Sequence, residues 1–147
     1  MAYNSDLATA TSMAPQLGTL SSTTTPTSTQ ATVIWTRAYN EVRMAFLEAG
    51  MSDSFTSSSR AEEVAQSAEM MLTSGLVLLA KGSIGKDGKA TSDELIRLAR
   101  DMLSKLWHKR DYLMSNGAAA ALSGTSIFAK SNWTEDSDPD FDYTVGS

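Results

Sequence analysis

Residues 59–82 read SRAEEVAQSAEMMLTSGLVLLAKG, and the spacing of their apolar positions decides the fold. Val64, Ala68, Met71 or Leu72, Gly75 and Leu79 recur every three to four residues, the period of one helix face. Leu76 and Leu78 widen that stripe, so the second half of the helix is expected to be buried on most sides. Ser59 and Glu62 stand at the spacing of a capping box, in which each side chain satisfies an amide donor that the first turn leaves unpaired. Gly82 ends the pattern. The longest uninterrupted apolar run, GLVLLA at 75–80, is far short of the roughly 20 residues that span a bilayer. This segment is therefore read as the central helix of an all-α fold with no membrane association.

The same periodicity appears on either side. Upstream, Pro26-Thr27-Ser28 precedes QATVIWTRAYNEVRMAFLEAG (30–50), where Ile34, Ala38, Val42, Ala45 or Phe46, and Ala49 form a stripe and Gly50 is a stop signal. Before it, SDLATATSMAPQL (5–17) is expected to hold one short helix, capped by Ser5 and ending near Pro15. Downstream, Thr91 and Glu94 repeat the capping-box spacing, which predicts a third long helix over DELIRLARDMLSKLWHKRDYLMSN (93–116), closed by Gly117. Leu95, Ala99, Met102, Leu106 and Leu113 form its inner edge, with Ile96, Leu103 and Trp107 beside them. No segment alternates with the period of a strand. The expected architecture is a small antiparallel helical bundle of three long helices plus a short N-terminal one. An N-terminal arm (1–27) and an extended acidic C-terminal arm (118–147) flank a helical body (28–117). Leu72, Leu76, Leu79, Leu95, Met102 and Leu106 are its expected core.

With 147 residues, 41% of them hydrophobic, the chain can form one core without staples, and it contains no cysteine. Thiol catalysis, thiolate metal sites and disulfides are thereby excluded. The start of the chain lacks the basic and continuous apolar regions of a signal peptide. All twelve Lys and Arg, and all but five of the seventeen Asp and Glu, lie in residues 1–134, so that portion is neutral. A neutral body argues against a broad electrostatic footprint for duplex nucleic acid.

Motifs that suggest chemistry fail on spacing. KGSIGKDGKATSDE (81–94) resembles a phosphate loop, but Gly82 stands only three residues before Gly85 and Lys86 is followed by Asp87. Laid on a calcium loop, the same stretch supplies only Asp87 and Glu94 as carboxylates at ligand positions, too few for a tight hard-cation site. His108, the single histidine, has no evident partner for base chemistry, because Asp111 reads as an ordinary surface neighbour three residues on. The eight Met residues lack the tight spacing of a copper site and suit core filling and adaptable contacts. No catalytic residue, cofactor or metal is expected.

The net charge of −5 resides entirely in Glu135, Asp136, Asp138, Asp140 and Asp142, within EDSDPDFDYTVGS (135–147). So charged a segment cannot bury enough surface to fold alone. Pro139 forbids a continuous helix, and Trp133, Phe141 and Tyr143 alternate with the carboxylates as apolar anchors. The segment is therefore read as a docking peptide, with Trp133, Asp138, Pro139, Asp140, Phe141, Asp142 and Tyr143 making contact. Arg97, Arg100, Lys105, Lys109 and Arg110 fall outside the inner edge of the third helix, where a solvated face is the simplest reading.

One arrangement is familiar. The Thr-rich lead-in ending in Pro-Thr, the helix with a Trp, a Glu-Val run and a terminal Ala-Gly (17–50), and the AEEVAQSAEMMLTSGLVLLAKG and ELIRLARDMLSKL helices follow one another in order. Over most of residues 15–115 this resembles the head-tail connector, or adaptor, proteins of tailed bacteriophages. The resemblance implies a structural virion protein, usually in twelve copies, forming a ring beneath the portal and continuing the DNA channel toward the tail. Portal protein, tail or stopper proteins and further copies of the chain would be its partners. The head-tail junction, and the host cytoplasm during assembly, would be its locations. Arg97, Arg100, Lys105, Lys109 and Arg110 would then meet acidic portal or neighbouring-subunit surface, with the DNA channel as the lesser possibility. The competing reading is a non-viral cytosolic interaction module with an acidic regulatory tail.

Overall fold

The computed structural model describes residues 2–82 and 85–121. These residues form α1 (Leu7–Ala10), α2 (Ser28–Glu48), α3 (Arg60–Lys81), α4 (Gly85–Ser104) and α5 (Arg110–Met114), with 3-10 turns at Pro15–Leu17 and Leu106–Lys109. The fold is all-α. Its one extended feature among the described residues is an isolated bridge between Met51 and Ala120.

The two long helices α2 and α3 begin and end where their cap residues dictate. Thr27 accepts from the Gln30 amide while the Gln30 side chain accepts from the Thr27 amide, a complete capping box. At the other end Gly50 takes a φ of 82°, and its amide and that of Met51 donate to the carbonyls of Leu47 and Phe46. That pair of bonds is the Schellman closure, which the missing Cβ permits. In α3 the Ser59 hydroxyl accepts from the Glu62 amide as expected, but the Glu62 carboxylate reaches back to the Ser58 amide at 2.6 Å.

The third helix departs from its expected bounds at both ends. α4 starts at Gly85, so Asp87 and Glu94 lie on a helix and the stretch tested as a phosphate or calcium loop is helical from there on. Thr91 and Ser92 do not cap. The Thr91 hydroxyl donates to the Asp87 carbonyl within the helix, and the buried Ser92 hydroxyl crosses to the Gly75 carbonyl of α3 at 2.8 Å. Contact with α3 thus overrides the weak helix preference of the Gly-containing stretch. At Lys105 the helix gives way to the 3-10 turn and then α5. Leu106 and Leu113 both enter the core through this bend, whereas Trp107, expected beside the inner edge, is 62% exposed.

The core lies along α3 in three clusters. Val77 and Leu78 cluster with Ala31 of α2, Met71 and Leu72 with Ala38 and Ala99, and Ala61, Ala65 and Ala68 with Val42, Phe46, Leu103, Leu106 and Leu113. Phe46 is fully buried, which contributes about 1.5–3 kcal/mol relative to exposure. Of the expected core, Leu72 and Leu106 are buried, and Leu76, Leu95 and Met102 partly so. Leu79 is instead 43% exposed, because Val77 and Leu78 occupy the face that α2 covers. Gly75 marks a close approach of α3 and α4: a Cβ there would lie 2.7 Å from Ile96 Cγ1 and 3.1 Å from the Ser92 carbonyl oxygen.

The N-terminal segment does not extend away as an arm. Asp6, rather than Ser5, caps α1 by accepting from the Thr9 amide. Ala10, Ala14 and Leu17 are buried against α3, and the Ser74 hydroxyl donates to the Ala10 carbonyl. Residues 116–121 likewise run beside the connection between α2 and α3, with Ser52 donating to the Ala119 carbonyl and Ala121 to that of Gly50.

Candidate docking groove and the buried N-terminal latch

Two constellations stand out among the described residues. The first is a groove of about 400 Å³ between the C-terminal halves of α2 and α4. Its floor is Ala45, Ala49 and Leu103, and its flanks are Met44 and Trp107, which are 45% and 62% exposed. The helical period explains the placement: Met44 lies two residues beyond the core residue Val42 and so faces outward from α2, while the bend after Ser104 turns Trp107 away from the core. The Trp107 ring lies against His108, tilted by 32° with centroids 3.9 Å apart.

Glu41 and Arg100 close one side of the groove in a two-point ion pair, Nε to Oε2 at 2.9 Å and Nη2 to Oε1 at 3.3 Å. That hydrogen bond raises the Arg100 pKa. The pair is partly exposed, so its value lies in fixing the rim more than in stability. Glu48 stands on the rim as well. An apolar floor, exposed Trp and Met, and a charged border are features that could take up a protein contact.

The cations grouped by sequence do not form one face. Arg97 is held by Glu94, which lies below the usual carboxylate range because Arg97 donates to it, and Lys105 is held by Asp101. Arg100 belongs to the groove rim. Lys109 and Arg110 follow the bend, and neither has an ion-pair partner among the described residues. Trp133, Asp138, Pro139, Asp140, Phe141, Asp142 and Tyr143 lie outside the described residues.

The second constellation surrounds Glu69, a carboxylate with no exposed surface. It accepts from the Tyr3 amide at 2.9 Å, the Asn4 amide at 2.8 Å and the Asn4 side-chain amide at 2.6 Å. Asn4 also donates to the Gln66 carbonyl, and Gln66 to that of Tyr3. The Tyr3 ring lies against Tyr39 and Phe55, and its hydroxyl donates to the Asp53 carbonyl. Burial, followed by the nearby Tyr39 and Asp53, raises the Tyr3 pKa, so the phenol remains a donor. A buried carboxylate with only donors around it is satisfied and structural, a latch that seats the N-terminal residues.

Neither constellation was singled out by sequence. Met44 carried a signal, as an apolar residue off the inner stripe of α2, and Glu69 carried another, as a lone acid amid the apolar positions of α3. No family model, curated protein or solved structure matches the chain. No helix among the described residues is long and apolar enough to cross a membrane.

Proposed function

We propose that this chain is a structural adaptor of the tailed-bacteriophage head-tail junction, which assembles with copies of itself into a ring under the portal and continues the DNA channel toward the tail. The exposed Met44–Trp107 groove carries this reading, because it offers a rigid protein-contact surface built from helices that occur in the order of the connector resemblance. In finer detail we read α2, α3 and α4 as an antiparallel bundle. Ala31 shares a cluster with Val77 and Leu78, Ala38 with Met71 and Leu72, and Val42 with Ala61, Ala65 and Ala68, so one index rises as the other falls. The groove and the cations Lys109 and Arg110 would face the portal or a neighbouring copy, and the acidic segment from Trp133 to Tyr143 would dock on a portal, stopper or tail protein. Twelve copies, residence at the junction and assembly in the host cytoplasm follow from the resemblance. A non-viral interaction module with a regulatory acidic tail is favoured by the same groove if no ring forms.

Electron microscopy of the protein mixed with its portal separates these readings. A ring on the portal face, weakened by Trp107→Ala or Met44→Asp, is the expected result. A monomer that ignores portal at low and high salt would overturn the adaptor assignment.

A further inference from the structure

We infer that the groove between α2 and α4 is the seat of the chain's own C-terminal segment, with Phe141 and Tyr143 on the apolar floor and the adjoining aspartates turned toward Lys109 and Arg110. The inference concerns the isolated chain and does not depend on the adaptor assignment.

Where the chain leaves the described residues is the first reason. The Ala121 amide donates to the Gly50 carbonyl at 3.1 Å, and Gly50 directly follows Glu48 and Ala49 of the groove wall. Arg110 lies over the same glycine, its Nε 3.2 Å from the position a Cβ would take. The remaining 26 residues therefore begin at one end of the groove. Twenty residues separate Ala121 from Phe141, enough to reach about 65 Å when extended, so tether length does not prevent the return.

The second reason is the pattern of the segment. Proline fixes its own φ and biases the residue before it, here Asp138, toward an extended backbone. In an extended chain successive side chains take opposite sides. Trp133, Phe141 and Tyr143 occupy odd positions, whereas Asp136, Asp138, Asp140 and Asp142 occupy even ones. Extended, the segment would present an aromatic edge, which also carries Glu135, and an opposite edge of aspartates.

The groove has an apolar floor, and cations follow it in the chain. Ala45, Ala49 and Leu103 offer an apolar floor beside Trp107, and Lys109 and Arg110, without ion-pair partners among the described residues, lie just beyond Trp107 in the chain. Glu48 repels carboxylates from its part of the rim, and Glu41 is already held by Arg100. Only the side of the 3-10 turn accepts the acidic edge, which fixes the orientation of the segment.

Because the chain lacks cysteine, a single thiol can be placed without background. Full-length protein carrying Ser137→Cys and Trp133→Phe is labelled with bimane, whose emission is quenched on contact with an indole. With an effective concentration on the order of 1 mM and an affinity on the order of 100 µM, the segment is seated about nine-tenths of the time. Emission is then expected to rise several-fold when Trp107→Phe is added, and equally when Phe141→Ala and Tyr143→Ala are added, substitutions outside the helical core. The quenching is expected to persist on dilution and to weaken in 1 M salt. Equal emission with and without Trp107 would overturn the inference. Quenching that disappears on dilution would also overturn it, by assigning the segment to a second copy. The measurement uses no portal, so neither failure bears on ring assembly.

Discussion

The carboxylate of Glu69 gathers three donors in a site closed to water, and its value lies in being acceptor-only. In Glu69→Gln one of the two oxygens becomes an NH2 group facing those same donors. Replacing the carboxylate is expected to cost about 1–3 kcal/mol, the penalty of leaving buried donors unsatisfied. Denaturant unfolding measures that cost, and amide exchange at Tyr3 and Asn4 locates it. An unchanged midpoint with unchanged protection would mean that the latch does not contribute to stability. A second single-residue effect belongs to Gly75. Valine there would drive Cβ and its methyls into Ile96 and the Ser92 backbone. Overpacking of this kind costs about 1–3 kcal/mol, opposed by the gain of about 0.5 kcal/mol from replacing glycine within a helix. Thermal unfolding of Gly75→Val should therefore shift downward, and an upward shift would show that α4 yields at Ser92.

Elements whose ends are set by local chemistry were legible in the sequence; the one whose ends are set by contacts was not. α2 and α3 carry their limits in Thr27, Gly50, Ser59 and Gly82, and the structure uses all four. α4 begins upstream of a good capping box because Ser92 finds a partner in the Gly75 carbonyl, a contact 17 residues away that no local pattern encodes. Its end is equally silent, since neither glycine nor proline stands near Lys105. The groove inherits this illegibility. Its wall on α2 follows from the helical period, but Trp107 becomes available only through the bend. The N-terminal segment is a different case: it was expected to be an arm, yet Ala10 and Ala14 are buried along with Leu17, and Ala14 and Leu17 pack with Val77 and Leu78 of α3. Small apolar residues bury little area each, so the count of large hydrophobics understated the packing.

At the scale of the whole molecule the charge is divided between a neutral body and an acidic end. Removing residues 135–147 would abolish the formal net charge of −5, and proteins near zero net charge associate and precipitate most readily. The shortened chain should accordingly be least soluble near pH 7, and the full chain at a more acidic pH. Turbidity across a pH series tests this, and coincident minima would contradict it. The ends of the described chain also converge on one place. Ser52, Thr56 and Ala61 donate to the carbonyls of Ala119, Gly117 and Asn116, while the Asp53 carbonyl receives the Tyr3 hydroxyl. Tension applied beyond Ala121 would thus load the short connection between α2 and α3 before it could unwind α5. Tension at the N-terminus would reach that same connection through the Tyr3 hydroxyl, and α3 through Glu69. The loop acts as a cleat for both ends of the rope, and α3 shares the load, through Ala61 for a pull on one end and through Gln66 and Glu69 for a pull on the other.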